Sequence, residues 1–121
     1  VNHDKIVNSV TEKIYEREPS LLERFGEQGK EKCREDNHHH MKHLETAYEL
    51  DQSSFFNDYA VWLNGILTRH GMKARHLIDN FEIIQAVLAE EKESAEKAER
   101  FHLYLAEAIA VLRGEPAEGG A

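Results

Sequence analysis

One cysteine in 121 residues excludes an internal disulfide framework and suits a reducing compartment. Two prolines and the scarcity of β-branched runs leave no good strand candidate. No apolar run approaches the ~18 residues that a membrane-spanning helix needs. The first residues, Val-Asn-His-Asp-Lys, do not resemble a secretion signal. Basic side chains are outnumbered, 15 against 23 acidic, which gives a net charge of −8. That balance argues against nucleic acid as a partner, because a binding surface must neutralise phosphates. What remains is an acidic, all-α chain, expected in the cytoplasm with no membrane contact. A start at Val1 instead of Met fits equally an engineered start or a fragment of a longer protein.

Helical periodicity fills most of the chain. Asp4 is placed to cap a first helix in which Ile6, Val7, Val10 and Ile14 recur at helical spacing. Pro19 ends it near Glu18 and opens a short segment carrying Leu21, Leu22 and Phe25. Gly26 and Gly29 predict a bend, followed by a helix through Cys33 to about Leu50. Asp51-Gln52-Ser53-Ser54 reads as a cap and turn. The next helix carries Phe56, Tyr59, Ala60, Leu63 and Leu67 on one stripe, broadened by Phe55, Trp62 and Ile66, and is expected to be central. Gly71 terminates it. A helix from about Arg75 to Glu90 turns Leu77, Ile78, Phe81, Ile84, Val87 and Leu88 inward. After the polar Glu90–Ser94 run, the last helix aligns Ala98, Phe101, Leu105, Ala108 and Leu112, and stops at Gly114 and Pro116. The expectation is one domain, residues 1–114, of five to six helices, followed by a flexible tail or linker over 115–121.

The stretch from Cys33 to Tyr48 holds the cysteine and four of the eight histidines. At roughly 100° per residue, Cys33, Asn37, His40, Leu44 and Ala47 share a face, with Asp36 on its shoulder. A thiol, a carboxylate and an imidazole on a stripe that should face the interior call for a partner. One candidate is a ligand with both apolar surface and hydrogen-bonding groups.

This pattern resembles the globin-like phycobiliprotein superfamily, whose members carry Cys-x-Arg-Asp followed by a pair of aromatics. Cys33 and Asp36 match; His39-His40 stand at the aromatic pair, and Met41-Lys42 replace Leu-Arg. Glu35 occupies the place of an arginine that pairs with a bilin propionate, where a carboxylate would repel it. The chain is more similar to non-photosynthetic relatives, small globins associated with bilin biosynthesis and helical modules beside cobalamin-binding domains. Those relatives share Cys-Arg-Glu-Asp, a pair like His40-Met41 and the spacing Phe56-x-x-Tyr59-x-x-Trp62. The resemblance spans roughly residues 33 to 112. It implies a globin-like, phycobiliprotein-related fold and a homodimer, with bilin-biosynthesis enzymes as candidate partners.

The candidate ligand-binding set is Cys33, Asp36, Asn37, His40, Tyr59, Trp62 and His76. Cys33 offers a thioether to a bilin or is simply a small buried side chain. Asp36 offers hydrogen bonds to pyrrole N–H groups, or pairs with His40 or an exposed cation. His39 with His43, or His40 with His43, supplies two zinc positions, but no second cluster completes a tetrahedral site, so no metal is expected. His38, His39 and His43 are expected in solvent. His40, His70 and His76 are the candidate axial ligands for haem. Cys33 and His40 lie about 10 Å apart along one helix, beyond hydrogen-bond reach, so no catalytic residue is expected. Three readings stand: a non-catalytic globin taking a biliverdin-like bilin non-covalently, a dimerisation or signal-relay module without ligand, and a haem-binding sensor globin.

Overall fold

A computed structural model describes residues 2–114 of the chain. The tail expected over 115–121 lies outside the described residues. Five α-helices account for the architecture: α1 (His3–Arg17), α2 (Ser20–Leu50), α3 (Ser53–Arg69), α4 (Ala74–Leu88) and α5 (Ala95–Leu112). The described residues contain no strand, and no helix is long and apolar enough to cross a membrane.

Local chemistry sets most of the boundaries. The α1 cap is Asn2, not Asp4: its side chain accepts from the Lys5 amide at 3.1 Å, which leaves Asp4 in the first turn facing the positive end of the helix dipole. The bend expected after Pro19 is a kink inside α2, confined to Gly26 (φ 67°, ψ −167°), a conformation open to glycine because it has no Cβ. Downstream of that kink α2 runs without a break to Leu50. It ends at Asp51, left-handed at φ 54°, where the Gln52 amide bonds Ala47 O (3.0 Å) and the Asp51 amide bonds Tyr48 O (3.1 Å). This is a Schellman closure, and α3 ends the same way at Gly71 (φ 89°), with Met72 N on Leu67 O at 3.0 Å.

The expected central role of the Phe56–Leu67 helix does not hold. In α3 only Phe56 and Ala60 are buried, whereas α4 buries Leu77, Ile78, Phe81, Ile83, Ile84, Val87 and Leu88. The reason is the width of each apolar arc. In α3 it is so wide that α2, α4 and α5 cover only part of it, and Val61 and Trp62 remain 51% and 62% exposed. The narrower arc of α4 is covered by α1, α5 and, to a lesser extent, α3, and α2 lies against α1, α3 and α5. Phe56, Phe81, Phe101, Met41, Leu44 and Leu105 form the middle of the core, each contributing about 1.5–3 kcal/mol by leaving water.

Ionic and amide contacts fix how the helices lie on one another. Glu45 of α2 takes His3 Nε2 of α1 at 3.2 Å and Lys97 Nζ of α5 at 2.5 Å. Arg34 donates to Asn8 Oδ1 at 3.0 Å, and Lys30 pairs with Glu12 at 3.0 Å, so α1 is held along its length. One turn further along the same face of α5, Arg100 bonds Asp51 and the Tyr104 hydroxyl, which ties α5 to the α2–α3 turn.

Candidate functional site

The inner face of α2 is placed as the heptad spacing requires. Asn37, His40, Leu44 and Ala47 are buried and Cys33 is half-buried at the end of the same stripe. Its polar members each meet a side chain from another helix, and two pairings account for most of the geometry.

The first is an amide pair between α2 and α4. Asn80 Nδ2 donates to Asn37 Oδ1 at 2.7 Å, and Asn37 Nδ2 donates back to Asn80 Oδ1 at 3.2 Å and to the Cys33 carbonyl at 3.0 Å. Asn37 therefore uses both amide protons and its oxygen inside the protein. The Cys33 sulfur lies 3.7 Å from the same Nδ2. Burial, and then the charge of Asp36, push the thiol pKa up, so the thiolate is disfavoured.

The second joins α2 to α3. His40 Nδ1 and the Tyr59 hydroxyl are 2.7 Å apart. The Phe81 ring stands edge-on to the imidazole with centroids 5.2 Å apart, and His43 stacks on the Tyr59 ring. Enclosure in this aromatic shell drives the His40 pKa down to about 3, with the neighbouring His43 and His39 adding smaller effects of the same sign. His40 is thus a neutral imidazole at physiological pH. Tyr59 moves the other way, its pKa raised by burial and then by the charge of Asp36, so its hydroxyl stays protonated. A neutral imidazole and a neutral phenol make a hydrogen bond that carries no net charge into the core.

The remaining candidates fall outside these two pairs. Asp36 sits on the shoulder with its side chain 46% exposed, 3.8 Å from Lys32 Nζ, and burial raises its pKa. Trp62 borders Tyr59 at 6.4 Å between ring centroids but faces outward. His76 Nδ1 accepts from the Lys73 amide at 3.0 Å and so closes the first turn of α4. His70 is the exposed cap residue of α3. The structure therefore gathers Cys33, Asn37, His40 and Tyr59 and leaves His76 engaged elsewhere. Among the described residues no group of three or more His, Cys, Asp and Glu side chains comes together in a metal-binding arrangement.

Three participants were not expected from the sequence. Asn80 looks like an ordinary polar residue on a surface turn of α4, and only the amide at Asn37 directly across gives it a role. Phe81 was legible as core but not as the wall of the imidazole. His43, expected in solvent, is half-buried and stacked on Tyr59 with its Nδ1 on the His39 carbonyl at 2.8 Å. The i, i+3 spacing from His40 could have placed it on the α3 side of the helix.

Two surface depressions lie elsewhere. One is lined by Asn8, Ser9, Glu12, Lys13 and Glu16 along α1. The other sits where the end of α4 meets the start of α5, around Leu88, Glu91, Ala95 and His102. Both open broadly to solvent. No family model matches this chain, and neither a curated protein nor a solved structure does.

Proposed function

We propose that this chain is a non-catalytic helical packing module that acts through protein–protein contact, with its polar interior serving to align helices and not to hold a pigment. The observation that carries this reading is the complete pairing of the α2 inner face. Asn37 is engaged by Asn80 and Cys33, and His40 by Tyr59 and Phe81. A tetrapyrrole lying on this face would have to displace both pairs and replace four part-buried hydrogen bonds with its own. Haem ligation through His40 would require an imidazole now packed edge-on against Phe81 to move to an open coordination position. The globin-like reading of the five helices and a homodimeric state belong to the same proposal.

The test is spectroscopic. Pure protein titrated with biliverdin, and separately with haemin, is expected to leave the bilin band unshifted and unsharpened and to give no Soret band of defined stoichiometry. A sharpened, red-shifted bilin band that disappears in Asp36→Ala or His40→Ala would overturn the proposal in favour of the pigment reading. A stoichiometric Soret band lost in His40→Ala would overturn it in favour of the haem reading.

A further inference from the structure

The solvent face of α3 carries four residues within a narrow arc of the helix: Asp58, Trp62, Gly65 and Arg69. They lie opposite Phe56 and Ala60, the residues α3 buries in its own core. Trp62 is the only tryptophan and, at 62% exposed, the most exposed large apolar residue described. A Cβ added at Gly65 would meet nothing within 4 Å, so there is open space over this half-buried glycine. Asp58 and Arg69 are exposed, and neither forms an ion pair among the described residues.

The order of these residues is palindromic in chemistry. A two-fold axis passing beside α3 between Leu63 and Asn64, with a second α3 running antiparallel, sets Asp58 opposite the partner's Arg69, and Arg69 opposite the partner's Asp58. The same operation brings each Trp62 to the level of the partner's Gly65, where the missing side chain leaves room for an indole. The two tryptophans would then be about 4.5 Å apart along the helix direction, from three residues at 1.5 Å rise. A two-fold interface must be self-complementary, residue i meeting j as j meets i, and this face meets that condition in both charge and shape. Local complementarity also answers the main objection to self-association, the −8 charge that each copy brings.

We infer that α3 is the dimerisation helix of this protein: two copies pack α3 antiparallel across a two-fold axis, with Asp58–Arg69 pairs at the ends and Trp62 beside the partner's Gly65 in the middle. The occupant of the exposed α3 face is a second copy of the same chain. This inference rests on the packing-module reading and gives it a specific geometry.

The experiment is sedimentation velocity of the intact chain from about 10 μM to about 1 mM, the range in which a single-helix interface of modest area assembles. Trp62 fluorescence is recorded at each concentration. The expected result is a monomer–dimer equilibrium with a blue shift of the Trp62 emission as dimer forms. Gly65→Leu, which has open space in the monomer, should weaken association at least tenfold while leaving the helical circular dichroism intact. Asp58→Arg and Arg69→Asp should each weaken self-association at least tenfold. Mixing these two variants should restore a dimer, because both of its charge pairs are then of opposite sign again. A chain that stays monomeric throughout the range overturns the inference. A dimer indifferent to Gly65→Leu and to the charge variants also overturns the α3 geometry, while leaving the packing-module reading intact. Failure of that reading would show instead as pigment binding in the spectroscopic titrations.

Discussion

Tyr59 is held from two sides by histidines one turn apart on α2: His43 lies flat against its ring, centroids 3.7 Å apart and planes inclined by 14°, while His40 Nδ1 sits 2.7 Å from its hydroxyl. The two histidines do different work. His43 is half-exposed and contributes a stacking surface, whereas His40 is enclosed and kept neutral by its surroundings.

That enclosure gives the protein a pH dependence of known sign. The His40 pKa is about 3 folded against an ordinary 6.5, so between those values the unfolded chain binds a proton that the folded chain refuses. Its contribution is fully present above pH 6.5 and is lost as pH falls towards 3, at a slope of up to about 1.4 kcal/mol per pH unit. Urea unfolding at pH 7.5, 6.0, 5.0 and 4.0 on wild type and His40→Phe checks this. The variant should lose about 1–2 kcal/mol at pH 7.5, from the broken bond to Tyr59, yet show a shallower decline with acid. Parallel curves for the two proteins would refute the assignment.

The Asn37–Asn80 pair should behave as a unit. Replacing Asn80 alone by Leu leaves the buried Asn37 amide without its partner and should cost about 2 kcal/mol or more. Asn37→Leu alone should cost a similar amount. The double replacement should cost clearly less than the sum, because neither apolar side chain then faces an unpaired amide. Additive losses in a chemical-denaturation cycle would mean that the two amides do not depend on each other.

Cys33 should be a slow thiol. Burial and the neighbouring Asp36 charge both raise its pKa, and the Asn37 amide beside the sulfur opposes them only partly. Iodoacetamide labelling at pH 8 should therefore run several-fold slower in the folded protein than in urea. Asp36→Asn should accelerate it, since removing a negative charge favours the thiolate. Labelling as fast in buffer as in urea would contradict the half-buried placement.

The five helices and the composition of the core were readable before any coordinates, because helical periodicity records which side of each helix leaves water. Ile6, Val7, Val10, Phe56, Phe81, Phe101 and Leu105 all lie where their spacing puts them. The rank of the helices was not readable. The wide apolar arc of α3 looks like a central helix in one dimension, yet Trp62 faces solvent and α4 buries far more of its side chains than α3 does. A sequence shows how much apolar surface a helix offers but not how much of that arc its neighbours cover. The face shared by Cys33, Asn37 and His40 was legible for the same periodic reason. The identity of what meets it was not, because Asn80 and Tyr59 come from 43 and 19 residues away along the chain.

Glu45 draws on His3, 42 residues before it, and on Lys97 in α5. The first and last helices thus meet at a single carboxylate of the second. Such distant closures are entropically late events, so this junction should mature near the end of folding, after the α4–α5 hairpin has formed. Trimming the chain's first few residues would therefore be felt at Lys97, in the last helix of the molecule.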